Sequence, residues 1–282
     1  MGTNGYLSAG SFYSQVAASD RRCGFVMSEL LQPVPRKIPH HSHEWPYFTL
    51  VLAGHYNEGD AHGTHELHPF TAIFNPDDCR HWGAVGAGGA RMFTVEIRPE
   101  QLTWCAVRLP DTPVHDPGSP GVVLKMLRLY HEFRSGPHME PLEAESLVCE
   151  MVAAAARYTA ADRDDAPGWW ARIEELLHAR CTQPLRIAEL AAEAGVHPVH
   201  LARVFRRKTG MTPGESLQAY RVRKACFQLL SRERSLVDVA MDCGFADQSH
   251  MTRLFRRYIG LTPAAFRSHS AQKKSGREVP AA

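Results

Sequence analysis

A fourteen-residue pattern occurs twice near the carboxyl end of the chain, and this repetition restricts the fold more than any other feature. His200-Leu-Ala-Arg203-Val-Phe205-Arg206-Arg207-Lys-Thr-Gly210-Met-Thr212-Pro213 returns as His250-Met-Thr-Arg253-Leu-Phe255-Arg256-Arg257-Tyr-Ile-Gly260-Leu-Thr262-Pro263, identical at eight positions and displaced by 50 residues. Self-similarity at a fixed offset marks two copies of one supersecondary unit. Each copy also carries an arginine run on a short helical stretch behind a glycine turn, which points towards nucleic acid.

Apolar residues around each copy fall at helical spacing. Ile187, Leu190, Ala191 and Ala194 line one helix face, and Gly195 then offers the left-handed conformation that a sharp turn needs. A second helix starts near His197-Pro198, since proline early in a helix loses only a donor that had no partner there. Leu201, Val204 and Phe205 form its apolar stripe, and His200, Arg203 and Arg207 share another face. In the second copy Leu236, Val239, Ala240 and Cys243 precede Gly244-Phe245, and Asp247 is placed to cap a helix that buries Met251, Leu254 and Phe255. Gln248, Ser249, His250 and Arg253 lie on its outer face. Helix, glycine turn and cationic second helix describe a helix-turn-helix, with units at 185–209 and 235–258, whose second helix enters the major groove.

Arginine forks onto guanine and glutamine onto adenine, so Arg203, Gln248 and Arg253 suit base reading. Arg206, Arg207, Arg256 and Arg257 lie further along and suit phosphate contact, as do Arg221 and Arg223 on the segment between the copies. As a helix, that segment spans about 27 Å, close to the roughly 34 Å between successive major-groove faces. The competing reading is a helical array with a solvated basic face, but arrays need at least three repeats.

Charge supports a division of labour. The net charge of +2 conceals 19 Lys and Arg against 10 Asp and Glu in residues 169–282, leaving 13 against 20 before them. Such asymmetry between halves is itself a pointer to nucleic acid. Seven scattered cysteines with no CxxC spacing suggest neither a disulfide framework nor a zinc knuckle. A soluble protein of the reducing cytoplasm is expected, with no secretory leader or membrane span.

The first half alternates short apolar runs with turn residues. Phe48–Leu52 is expected to end at Gly54, Thr71–Phe74 at Asn75-Pro76, and Met92–Ile97 at Arg98-Pro99, as in a small antiparallel sandwich or barrel. Helical spacing begins at Gly121 and recurs on both sides of Ser135-Gly-Pro137, giving two antiparallel helices over 121–158 that pack on their own sheet or offer a stripe to a second subunit. Residues 1–20 read as a mobile lead-in, 21–120 as the sheet domain, 159–168 as an acidic linker, 169–268 as the nucleic-acid-binding domain and 269–282 as a tail.

His41 and His43 precede one strand, and His81 follows Pro76-Asp-Asp-Cys-Arg. Three readings stand together: three imidazoles for a divalent metal, an effector pocket lined by His41, His43, Tyr47 and His81, or histidines satisfying local hydrogen bonds. His55, His62, His65 and His68 are expected in loops. No carboxylate pair, nucleophile with its base or phosphate loop stands out, so the expectation is a protein without catalysis or cofactor, and the rivals are a metalloenzyme fused to a DNA-binding tail and a ligand-independent regulator with a purely structural sandwich.

Residues 169–268 resemble the AraC/XylS transcription regulators. The resemblance rests on Ile187-Ala-Glu-Leu-Ala191, His200-Leu-x-Arg203-x-Phe205-Arg206, the Gly-x-Thr-Pro turn, Tyr220-Arg-x-Arg223, Asp238-Val-Ala240, Cys243-Gly-Phe245 and Asp247-Gln-Ser-His250. It implies a seven-helix domain of two helix-turn-helix units. It places Val199, Ala202 and Arg203, and then Gln248, Ser249, Thr252 and Arg253, towards the groove, with His200 and His250 beside them. His197 stands where the family carries a serine-like cap. The histidine spacing is similar to that of cupin sandwiches, which family members carry as sensing domains, with Tyr47 where metal-binding cupins place a glutamate. The expected class is therefore α+β multidomain: an antiparallel β-sandwich or cupin-like barrel with two helices, then an all-α double helix-turn-helix. The expected partners are double-stranded DNA, RNA polymerase, a small-molecule effector and a second copy of the chain, and the expected output is transcription activation.

Overall fold

A computed structural model describes residues 5–22, 24–61, 63–105, 109–115, 120–135, 139–157 and 167–271. The chain divides into two compact units, Met1–Pro167 with Phe205–Gly210 and Gly168–Val204 with Met211–Ala282. The fold is mixed, with a large amino-terminal sheet and carboxyl-terminal helices.

Nine strands build the sheet: β1 (Tyr6–Leu7), β2 (Gln15–Arg22), β3 (Phe25–Gln32), β4 (Arg36–His43), β5 (Tyr47–Asp60), β6 (Gly63–Leu67), β7 (Ala72–Asn75), β8 (His81–Ile97) and β9 (Val114–His115). The long strands β5 and β8 pair along most of their lengths and serve two lobes. The first half of β5 and the second half of β8 join β7 and β3, with β2 outside β3. Their other halves join β6 and β4. Leu30, Val51, Ile73 and Met92 from one lobe and Ile38, Tyr56, Leu67 and Val85 from the other bury into one core.

Three expectations are corrected. The β5 strand does not stop at Gly54 but runs through it to Asp60, because Gly54 adopts φ +82° at an irregularity that bends the strand without ending it. Residues 5–22 form β1 and β2 in place of a mobile lead-in; the alternation in Gln15–Arg22 is mostly polar because β2 is an edge strand. His55 and His65 are also strand residues, in β5 and β6, whereas His62 lies outside the described residues.

Among the described residues the first unit also holds the helices α1 (Pro99–Cys105), α2 (Pro120–Ser135) and α3 (Pro141–Ala156). The sheet itself covers the apolar side of α2, with Phe93 of β8 meeting Tyr130 and Phe133 at ring-centroid distances of 5.2 and 5.5 Å. Buried Glu29 of β3 receives Arg91 at 3.2 Å and Arg134 at 3.0 Å, which fixes α2 to the sheet. The expected linker at 159–168 lies outside the described residues up to 166, as does the tail beyond 271.

The second unit holds α4 (Trp170–Ala179), α5 (Ile187–Ala194), α6 (Pro198–Thr209) up to Val204, α7 (Pro213–Leu229), α8 (Leu236–Asp242), α9 (Gln248–Ile259) and α10 (Pro263–Ala271). Thr212 starts α7 with a capping box, its hydroxyl accepting from Glu215 N while the Glu215 carboxylate accepts from Thr212 N. Central burial explains the length of α7: Leu217, Tyr220, Val222, Ala225, Cys226 and Leu229 are all buried. Among the described residues no helix is long and apolar enough to cross a membrane.

Candidate functional site

Two sites emerge, one in each unit. In the second unit, α5 ends at Gly195 (φ +67°), where Val196 N donates to Ala191 O at 3.0 Å. The α8 helix ends at Gly244 (φ +79°), where Phe245 N donates to Ala240 O at 2.9 Å. These are equivalent closures, in which a left-handed residue lets the chain turn and satisfies the last carbonyls. The spacing is not identical, however. Gly195 and Gly244 are 49 residues apart, whereas His200 and His250 are 50 apart, so the second turn is one residue longer. Ala246 is the added residue, and its N–H donates to His250 Nδ1 at 3.2 Å.

The following helices start differently. Asp247 caps α9 by accepting from His250 N at 2.6 Å, a contact of the kind that contributes about 1 kcal/mol. At α6 the cap position is His197, whose Nδ1 accepts from Val199 N at 3.3 Å. Leu201, Val204 and Phe205 turn inwards in α6, as do Met251, Leu254, Phe255 and Ile259 in α9. Val199, His200 and Arg203 are exposed and Ala202 half-buried; Gln248, Ser249 and Arg253 are exposed and Thr252 half-buried. Thr252 Oγ1 donates to Gln248 O at 2.9 Å, and His250 packs edge-on against Phe245, so His250 also closes the turn.

The basic residues separate into two groups. Arg206, Arg207 and Arg256 are exposed near the ends of α6 and α9. Arg221 instead donates to Cys181 O at 2.6 Å and Gln183 O at 3.0 Å, bracing the segment between α4 and α5. Arg257 reaches Glu215 at 3.4 Å, and Arg223 is half-buried on α7. Intramolecular bracing was not legible at Arg221 because its acceptors are main-chain carbonyls some 40 residues away.

In the first unit a small cleft of about 30 Å³, partly open to solvent, is lined by residues of both lobes. His41 and His43 of β4 and His81 of β8 are buried in it, with one ring nitrogen from each within 4.8 Å of the others. Tyr47 joins them, its hydroxyl 3.0 Å from His81 Nε2. All four histidine-cluster residues anticipated from sequence are thus brought together. Burial, then the neighbouring imidazoles, lowers His41 to about 4 and His43 to about 2, and burial lowers His81, so all three are neutral near pH 7.

Sequence reasoning missed the polar chain behind Tyr47. Asn75 Nδ2 donates to Tyr47 Oη at 3.0 Å and to Glu58 Oε1 at 2.9 Å. Glu58 is 2 % exposed. Its burial raises the carboxyl to about 7, against the lowering effect of hydrogen bonds from Asn75 and Tyr56. Irregularities in β5 at Val51/Ala53 and Gly54/Tyr56 shift its inward-facing positions from 47 and 49 to 56 and 58, so simple alternation hides Glu58. Phe12 and Tyr13 were also missed; their rings lie 5.3 Å from His43 and 5.1 Å from His41. A second group, Asp60, His65 and His115, has converging ligand atoms but is only half-buried.

Comparison with known proteins assigns the second unit. A helix-turn-helix domain family model matches residues 190–269. The regulatory protein SoxS of Salmonella typhimurium is 36% identical over 93 residues, covering 33% of this chain and 87% of SoxS. The MmsAB operon regulatory protein of Pseudomonas aeruginosa is 27% identical over 194 residues, covering 66% of this chain and 61% of that protein. A solved DNA-binding domain of AdpA, the global transcriptional factor, in complex with a target DNA is 30% identical, with a TM-score of 0.36, covering 38% of this chain and 96% of that domain. With its duplicated helix-turn-helix matched over most of the length of SoxS, the chain belongs to the AraC/XylS family of DNA-binding transcription regulators.

Proposed function

We propose that this regulator is controlled by a small ligand bound in the cupin-like first unit, and that α6 and α9 enter successive major-groove segments of one DNA site. The observation that carries the reading is the paired outer face: Arg203 and Arg253 stand exposed at equivalent positions, each behind a left-handed glycine turn. Arg203, Gln248, Ser249 and Arg253 read bases, with Val199, Ala202 and Thr252 against thymine methyls or base edges and His200 and His250 alongside. Arg206, Arg207 and Arg256 neutralise phosphates, while Arg221, Arg223 and Arg257 make smaller contributions because the first and last already serve the fold.

In the first unit, His41, His43, Tyr47 and His81 form the ligand pocket. Occupancy shifts the equilibrium between DNA-binding arrangements through differential affinity for the ligand. The regulator acts in the cytoplasm as a homodimer through α2 and α3, recruits RNA polymerase and activates transcription without enzymatic chemistry of its own.

Selection of bound sequences from a random DNA pool by the full chain tests the core of the proposal. Two conserved half-sites about one helical turn apart are expected. Enrichment of no sequence over competitor DNA would overturn it.

A further inference from the structure

The cleft of the first unit concentrates more nitrogen donors than packing requires. His41 pairs with His81 across β4 and β8, and His43 lies two residues further along β4, so the three rings converge with centroids 4.2 to 5.6 Å apart. Main-chain carbonyls only accept, so the 2.8 Å contact to Pro39 O and the 3.1 Å contact to Cys79 O put the proton on Nδ1 of His41 and His81. Their Nε2 atoms are left as lone-pair donors. His43 Nδ1 is buried and meets no hydrogen-bond partner among the described residues. A buried polar atom without a partner is costly in an apolar interior. A Lewis acid satisfies converging imidazole nitrogens together.

We propose that His41, His43 and His81 bind one divalent transition-metal ion, and that buried Glu58, linked through Asn75 and Tyr47, supplies balancing negative charge. This rests on reading the cleft as a ligand site and names the ligand. Neutral imidazoles favour zinc, ferrous or cobaltous ions over calcium and magnesium, which take oxygen donors. The carbonyls of Pro39 and Cys79 orient two of the rings, the role that outer partners play around metal-bound histidine. Tyr47 is the competitor: its hydroxyl now engages His81 Nε2, and the ion displaces that contact while Asn75 still donates to the phenolic oxygen.

The test is a Co²⁺ titration of the full chain after dialysis against chelator, read by visible ligand-field absorption and by direct metal analysis. One ion per chain is expected. His43→Ala and His81→Ala should each weaken binding at least about tenfold, and Glu58→Gln should weaken it by less, since Glu58 touches none of the three rings. His65→Ala, in the half-buried second group, should bind as the unaltered chain does. Absence of a ligand-field band from the unaltered protein overturns the proposal whatever the variants do, as does undiminished uptake by the His43→Ala/His81→Ala double variant. Thermal-shift screening of organic ligands on the same preparations separates the two levels of inference. An organic ligand that stabilises a protein taking up no metal sinks the metal and keeps the pocket; no response to either sinks both.

Discussion

Single residues divide between those proposed to read DNA and those that hold the fold. Arg203 and Arg253 are exposed, and replacing either with alanine should cost about 1–3 kcal/mol on the selected site. Competition gel shifts check this, and equal losses on random DNA would reassign both to phosphates. Arg221→Ala, by contrast, removes two main-chain contacts and should lower the melting temperature of the second unit. In the first unit, pH separates two kinds of buried group. Histidines lowered in the fold contribute stability that is full above pH 6.5 and lost as pH falls through their folded values. Glu58 has a raised folded value of about 7, so its contribution is full below its ordinary range and is lost as pH rises through 7. Between pH 7 and 5 Glu58 therefore offsets part of the histidine loss. Glu58→Gln should melt increasingly below the unaltered chain as pH falls across that window; a constant gap would show that Glu58 ionises normally in the fold.

Elements show why the two copies are not interchangeable. The α9 helix starts from an aspartate cap, whereas α6 relies on a longer contact to an imidazole. His197→Asp should therefore stabilise the second unit by about 0.5–1 kcal/mol, measurable in urea, while Asp247→Ala loses about as much. The turn glycines differ as well. A Cβ at Gly195 meets nothing within 4 Å, so Gly195→Ala should cost only the left-handed conformation, about 1–2 kcal/mol. At Gly244 the same atom would lie 2.5 Å from Thr182 O, and Gly244→Ala should cost distinctly more. Helices and turns of this unit were legible because apolar spacing, glycine and proline all specify them locally. The added Ala246 was not, since matching the copies at a single offset of 50 conceals a one-residue change upstream of His250.

At the scale of the whole molecule, legibility fell with the distance over which structure is decided. The histidine cluster could be read because His41 and His43 share one strand face and His81 has the spacing of a neighbouring strand. The full lining could not, because bends in β5 change which side chains face inwards and because pairing with β3 turns a polar amino-terminal segment into ordered structure. That segment has a kinetic consequence. Phe12 and Tyr13 stand over His43 and His41, and the stretch is held by Gly10 N donating to both oxygens of Glu96 and by Arg36 donating to Tyr13 O. In the proposed pocket these two rings line the cleft beside the imidazoles, which places them to influence the rate of arrival. Phe12→Ala should accelerate ligand entry and exit together in stopped-flow measurements and leave equilibrium affinity nearly unchanged. The speed with which the regulator registers a changing environment would then be set by residues 10–13, separately from what it detects.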